Sequence, residues 1–596
     1  MSAYLLRRFG QGLLVLWAAF TLTFFLLQVL PGDAVLIKFQ NPDLGLSPAQ
    51  IAEMRLAYGA DSPLWRQYLH TLLAMLHGDF GYSLQAGLAV SSLIASNLPD
   101  TLSLALPAFL LAVALAFALA FASRLPGLRW LSNFLQSLPV LFISLPTFWL
   151  GIALIQLFSF QLRWIPVINP GPLEGLILPV IAVALPISAP LAQILMRSMD
   201  QVAVQPFVAV ARAKGMSETG VLWRHVMGNA LLPALNIAGL LLGELIAGAL
   251  ITETVFGRSG LGQLTQQAVN NQDIAVLQAV VMISALGFRP DQPAGRPGHA
   301  ATGSPTPFTD RRCEMSLVDY TIAVRRRPEW RRVRLQPGLW LAWAVMIAAL
   351  LMAIAPQWFT SANPLEGIPG AQRLAPQAHY WLGTDQLGRD LWTRVVYGAV
   401  HSLSAALIAV AIGLVVGTAL GTLAGALAGR VESTIMRLVD VLLAIPSLLL
   451  QLTVIILLGF GTVNAAVAVG VAAIASFARL ARAEVVRVRH SDYVEAARGS
   501  GGTFFAVFWR HILPNSLTAV LAFATLQFGQ AMLALATLSF LGYGTPPPVP
   551  EWGLLIAEGR NYLSTAWWLT TFPGLAVVAV VLAANRLSRQ WSGARP

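Results

Sequence analysis

Ala209-Val-Ala-Arg-Ala-Lys-Gly215 and Glu495-Ala-Ala-Arg-Gly-Ser-Gly501 occupy corresponding places in two copies of one segment. Ala211-Arg212 and Gly215 return as Ala497-Arg498 and Gly501, and Trp223-Arg224-His225 with Asn229 return as Trp509-Arg510-His511 with Asn515, every pair 286 positions apart. Agreement at so many positions of one short window marks an internal duplication. Each copy is basic and lies between apolar runs, and about 20 apolar residues rising 1.5 Å each cover the ~30 Å hydrocarbon core of a bilayer. Such runs occur near 9–30, 101–122, 134–160, 176–196 and 230–252, and again near 338–356, 399–428, 436–459, 462–480, 515–541 and 565–584. The fold class expected is an all-α polytopic membrane protein made of two tandem bundles of about six helices each.

Composition agrees with that class. Of 596 residues 56% are hydrophobic and 11% charged, and mean hydropathy is +0.68, against about 25% charged in a soluble domain. A soluble enzyme and a disordered chain are both excluded as defaults. The net charge of +11 rests on arginine, since only Lys38 and Lys214 are lysines. Arg124, Arg129, Arg197, Arg212, Lys214 and Arg224 fall on one side of the spans, as do Arg479, Arg482, Arg487, Arg489, Arg498 and Arg510 in the second copy. By the positive-inside rule that side is cytoplasmic. The run Phe9–Leu30 follows Arg7-Arg8, is too long for a signal-peptide core and has no cleavage signature after it, so it reads as a retained helix with a cytoplasmic N-terminus. Cys313 is the sole cysteine and permits no internal disulfide.

The repeated loop resembles the cytoplasmic loop of the permease subunits of binding-protein-dependent ABC importers, which carries Glu-Ala-Ala, a glycine three residues on, and later Leu-Pro. The second copy matches at Glu495, Ala496, Ala497, Gly501, Leu513 and Pro514; the first keeps Ala211 and Gly215 but has Ala209 and Met227-Gly228 at the other places. The chain is further similar to the dipeptide, oligopeptide and nickel permease family. The first half does so through Leu30-Pro-Gly-Asp33, Gly78-Asp-Phe-Gly-Tyr-Ser83, Glu253-Thr-Val-Phe256 and Gly260-Leu-Gly262, the second through Leu382-Gly-Thr-Asp385, Gly388-Arg-Asp390, Leu538-Ser-Phe-Leu-Gly542, Pro550-Glu-Trp-Gly553 and Phe572-Pro-Gly574.

The resemblance implies two tandem type I importer transmembrane domains, normally separate partner chains, in a bacterial inner membrane. It implies coupling loops made by Ala211, Arg212, Ala213, Lys214 and Gly215 and by Glu495, Ala496, Ala497, Arg498, Gly501, Leu513 and Pro514. It also implies cytoplasmic P-loop ATPase subunits that carry the ATP, an extracytoplasmic substrate-binding protein, the lipid bilayer and no nucleic acid as partners. Small peptides are the first substrate choice and nickel chelates the narrower one. Asp385, Arg389 and Asp390 read as turn residues or, by the resemblance, as a charged patch for the binding protein.

Neither lysine follows a glycine, so no Gly-x-x-x-x-Gly-Lys-Ser/Thr loop is possible. No His-Glu-x-x-His occurs, no metal site is expected, and the histidines are scattered, with His225 and His511 read as hydrogen-bonding loop residues. The chain is not expected to be an enzyme or to bind a cofactor. Of the carboxylates, Glu244 alone is placed well inside a span, where burial of charge demands a bundle-facing or wet position. Gly413, Gly417, Gly421 and Gly425, four apart, suit close helix packing. The competing class, a self-contained secondary transporter or channel, fits less well with repeated docking loops and sparse intramembrane carboxylates.

The domain boundaries expected are 1–96 for the first helix and its extracytoplasmic segment, 97–288 for the first bundle, 289–335 for a basic Pro/Gly-rich connector, 336–397 for the corresponding helix and segment of the second half, and 398–590 for the second bundle. The run Ile274–Phe288 stops after about 22 Å of helix, and Arg289, Pro290, Asp291 and Pro293 forbid its extension. A one-nucleotide shift over Arg289–Gly298 can restore an apolar continuation, and Met315-Ser-Leu-Val-Asp-Tyr320 resembles a native permease start. The expectation is a frame-disrupted join of two adjacent genes, with a natural fusion as the runner-up.

Overall fold

In the computed structural model the described residues are 2–28, 63–83, 85–125, 127, 130–287 and 337–591. The connector 289–335, Cys313, the segment Leu30–Asp33 and the residues that bear on the frame-disrupted join lie outside them.

The first half contains α1 (Ser2–Gln28), α2 (Leu64–Leu76), α3 (Val90–Ala122), α4 (Ser132–Ile143), α5 (Thr147–Leu154), α6 (Glu174–Ala203), α7 (Pro206–Ala213), α8 (Glu218–Val221), α9 (Gly228–Phe256), α10 (Leu261–Asn270) and α11 (Ile274–Gly287). The second contains α12 (Pro337–Ile354), α13 (Leu391–Leu427), α14 (Gly429–Ala444), α15 (Ser447–Leu458), α16 (Thr462–Arg489), α17 (Asp492–Gly499), α18 (Phe504–Val507), α19 (Leu513–Phe540), α20 (Trp552–Gly559) and α21 (Trp568–Trp591). From α3 onward each helix has its counterpart ten numbers later, so the duplication seen in the loops extends through both bundles. Among the described residues the only β pairing is two isolated bridges, Tyr82 with Ala89 and Thr384 with Asp390, in the turns that lead into α3 and α13.

Seven described helices are long and apolar enough to cross a membrane, or nine if each of two bent pairs is one span. The bent pairs correct the sequence expectation of straight spans over 134–160 and 436–459. α4 meets α5 at 106° and α14 meets α15 at 94°. The cause is Pro146 and Pro446, which have no N–H to continue the ladder and push the preceding residue out of helical conformation; Ile445 sits at φ −87°, ψ 124°. The expected bundle boundaries at 97 and 398 fall inside α3 and α13, because both helices begin in polar sequence before their apolar stretches.

Helices α3 and α6 pack in the first half, and α13 and α16 in the second. The Gly413–Gly425 stripe lies on α16: a Cβ at Gly417 would stand 2.6 Å from Ile474 O, and one at Gly421 2.3 Å from Ala478 O. Only glycine allows that approach. The halves meet through α5 and α21, where Trp149 Nε1 donates to Thr570 O at 3.1 Å, and the rings of Phe148 and Phe540 stack at 4.7 Å. Asn585 Nδ2 donates to Ser144 Oγ at 2.8 Å across the same seam, at the α4–α5 bend.

Candidate functional site

The two repeated loops share their backbone turn and capping bonds. Val208 and Val494 are each fully buried and anchor α7 and α17 beneath the bundle, while Arg212, Ala213, Lys214, Gly215, Glu495, Ala496 and Arg498 are exposed. α7 closes with Gly215 N donating to Arg212 O at 3.0 Å, and α17 with Gly501 N donating to Arg498 O at 2.9 Å. Gly215 (φ +79°) and Gly501 (φ +88°) are left-handed, the conformation that glycine takes after a helix end. Ser217 then caps α8 and Thr503 caps α18. A π-turn follows in each, Leu222–Met227 and Phe508–Ile512. Within it Asn229 Nδ2 donates to His225 O and Asn515 Nδ2 to His511 O, both at 2.7 Å. Pro514 occupies the first turn of α19, where its missing N–H is no loss; Gly228 stands at the start of α9.

The loops differ in charge. Arg212 Nε pairs with Glu218 at 3.0 Å, whereas Glu495 and Arg498 have no side-chain partner among the described residues.

At the other end of α9 and α19 an open cavity of about 460 Å³ lies between the halves, lined by Glu253, Gln263 and Gln266 on one side and by Phe540, Arg560 and Asn561 on the other. A second cavity of about 300 Å³ adjoins it through Thr254, Gly257, Arg560 and Asn561. Glu253 is fully buried, and both of its oxygens are engaged within its own half. Oε1 accepts from Thr101 Oγ1 at 2.6 Å, and Oε2 from Gly262 N at 2.7 Å and Gln263 N at 3.3 Å. Gly260 and Gly262 make this possible, since a Cβ on Gly262 would lie 2.1 Å from Leu250 Cα. In the second half Glu551 takes the corresponding part, accepting from Ser539 and from the Thr545 and Gly553 main chain, and burial pushes its carboxyl up to about 7.

Asp385, Arg389 and Asp390 form a turn, the first of the two readings, and not the exposed charged patch of the second. Asp385 and Arg389 are buried with Arg394, a residue sequence reasoning missed. Arg389 Nε donates to Asp385 Oδ2 at 2.5 Å, Arg394 Nη1 lies 3.4 Å from the same oxygen, and Arg394 Nη2 reaches Glu558 at 3.1 Å. Asp390 Oδ2 caps α13 by accepting from Thr393 N at 3.0 Å. Opposite charges in matched number neutralise one another when buried, so the cluster fastens the turn to α20 and presents no charge outward. Glu244 lies in α9, and its side chain is outside the described residues. Glu253 was visible in sequence only as part of a motif; Arg560 carried no signal at all.

Paired bent helices, two matching basic loops at one end and an open cavity between the halves at the other define a two-bundle membrane translocator. The chain belongs to the family of binding-protein-dependent transport system inner membrane components, which matches residues 112–289 and 417–591, and the family's N-terminal component matches residues 1–105. It is the membrane-spanning permease of a binding-protein-dependent ABC importer, with two type I importer domains in tandem, and a multi-pass inner-membrane protein. A dipeptide transport system permease protein of Alkalihalophilus pseudofirmus is 35% identical over 243 residues, covering 41% of this chain and 80% of the relative. A putative peptide transport system permease protein of Brucella abortus is 39% identical over 282 residues (47% and 92%). A glutathione transport system permease protein of Salmonella typhimurium is 38% identical over 262 residues (44% and 86%). Each relative accounts for less than half of this chain, as a single bundle would.

Proposed function

We propose that the two halves form one pseudo-symmetric path for small peptides, energised by separate cytoplasmic ATPase subunits that dock on residues 209–215 and 495–501 and supplied by an extracytoplasmic binding protein. The N-terminus is cytoplasmic in this reading, and ATP is bound by the partners. The observation that carries it is the exposed small-residue face of α7 and α17, repeated with the same cap geometry on the same side of both bundles. Absence of a P-loop sequence assigns hydrolysis elsewhere. The names of the relatives, dipeptide, peptide and glutathione permeases, support peptides as cargo. Closure of the ATPase pair would move both loops together, rock the bundles about the α5–α21 seam and open the path to each side in turn.

Proteoliposomes test this. The chain alone is expected neither to hydrolyse ATP nor to accumulate labelled dialanine, and addition of ATPase subunits, binding protein and ATP should confer uphill uptake. Accumulation by the chain alone under a proton gradient would instead identify a secondary transporter.

A further inference from the structure

The cavity between the halves contains one strongly basic side chain, and its setting is specific. Arg560 follows Gly559, which is pressed against α21 so closely that a Cβ would lie 2.8 Å from Leu569 Cβ. The turn is thereby fixed. The guanidinium stands over the Phe540 ring, 5.7 Å from its centroid, and is exposed, with no carboxylate within ion-pair distance among the described residues. The other ionisable group on the wall, Glu253, has both oxygens occupied by hydrogen bonds within its own half. Around Arg560 the wall supplies carboxamides. The Gln266 carboxamide lies 3.1 Å from Thr254 Oγ1, and Gln263 and Asn561 add further donors and acceptors.

A guanidinium fork with no carboxylate of its own, beside neutral amides, is the complement of a carboxylate attached to a peptide group. The fork offers two parallel N–H donors to the two carboxylate oxygens, while the carboxamides meet an amide N–H and C=O. A volume of about 460 Å³ is in the range of small-molecule sites. Water in the cavity keeps such a pair weak enough to release, as a transport path requires.

We propose that Arg560 is a specificity-determining residue that receives the free C-terminal carboxylate of the transported solute between the two halves. The inference rests on the reading of the cargo as short peptides and adds to it which end of the peptide is recognised, and by what.

The test compares uptake of labelled dialanine with that of its C-terminal amide, in proteoliposomes holding the full chain, its ATPase subunits and saturating binding protein. Because the binding protein is the same throughout, a change in the ratio between the two probes reports on the permease. Arg560→Gln should lower the dialanine-to-amide ratio roughly three- to tenfold, and Arg560→Lys should restore part of it. Arg373→Gln is the control: its guanidinium lies over the Tyr562 ring at 5.3 Å, outside the cavity lining, and removes the same charge. It should leave the ratio unchanged. An unaltered ratio in Arg560→Gln with dialanine still carried overturns the inference alone, and so does an equal loss of both probes, which would make Arg560 structural. Failure of the wild-type assembly to carry either probe while it carries another solute overturns the peptide reading and the inference with it.

Discussion

In the first half the turn before α3 is held by a neutral hydroxyl, Ser83 Oγ donating to buried Asp273 at 2.5 Å. In the second half the turn before α13 is held by the four-residue cluster Asp385, Arg389, Arg394 and Glu558. The same contrast recurs in the bundles. Counted back from the ends of α3 and α13, Ala112, Ala116 and Ala120 correspond to Gly417, Gly421 and Gly425. All six are buried, and at Gly417 and Gly421 the neighbouring helix comes close enough that a Cβ would meet its backbone. Duplicated topology therefore does not entail duplicated energetics. Polar satisfaction and close packing are solved locally, and the second half does so with more charge and less side-chain volume.

The largest contrast is expected at the loops. A side chain at Gly501 (φ +88°) or Gly215 (φ +79°) costs roughly 1–2 kcal/mol of backbone strain, so the two sites start equal. In the second loop Glu495 and Arg498 remain available to a partner, whereas Arg212 is already tied to Glu218. Gly501→Glu should therefore lower ATP-driven uptake on the order of tenfold or more, with ATP hydrolysis retained. Gly215→Glu should lower it less. Equal uptake by Gly501→Glu and wild type, at equal membrane abundance, would break the asymmetry.

Next come the turn locks. Arg394→Met leaves Asp385 and Glu558 facing a lost cation, and breaking a buried ion pair from one side costs about 3–5 kcal/mol. Ser83→Ala removes one neutral donor to Asp273, about 1–3 kcal/mol. Thermal unfolding in detergent should rank them in that order; a smaller loss for Arg394→Met would mean that water reaches the cluster. The helix pairs sharpen the comparison further. Gly421→Ala places its Cβ 2.3 Å from Ala478 O and should cost about 1–3 kcal/mol by overpacking, while Ala116→Gly should cost about 1 kcal/mol through helix propensity.

Much of this architecture was legible beforehand because its signals are local. Apolar runs and the four-residue glycine period each reside in a single stretch of chain, and the repeat, 286 residues apart, is found by comparing two such stretches. The bends at Pro146 and Pro446 were also local, yet hydropathy averages over a proline, so each bent pair read as one span. What stayed hidden depends on partners distant in sequence. Asp385 and Arg389 could be read as a surface patch as well as a turn because Arg394 and Glu558, which neutralise them, belong to separate helices. Arg560 gains meaning only from Gln263 and Gln266 across the seam. Periodicity reports which face of a helix is buried; it does not report which charges meet there.

The smallest effect distinguishes two buried glutamates with one structural task. Glu253 projects from α9 and closes on the loop at Gly262, while 286 residues later the helix position is Ser539 and the carboxylate has moved to the loop as Glu551. Glu551 accepts from Ser539 and from Thr545 and Gly553, but its Oε2 meets no donor, and burial raises its pKa from 4.5 to about 7. The sign follows from linkage. Below pH 4.5 the carboxyl is protonated in both folded and unfolded chains. Between 4.5 and about 7 the unfolded chain releases its proton first, so stability falls as pH rises, by about 1.4 kcal/mol per pH unit at most. Above about 7 the loss is complete and the curve is level. Glu551→Gln should remove that slope, with a net change at pH 8 of only about 1 kcal/mol, because the amide relieves the buried charge but gives up part of the acceptor capacity used by Ser539 and the main chain. Unfolding temperatures measured from pH 4.5 to 8 check it: a variant with the wild-type slope would show that Glu551 is ionised throughout.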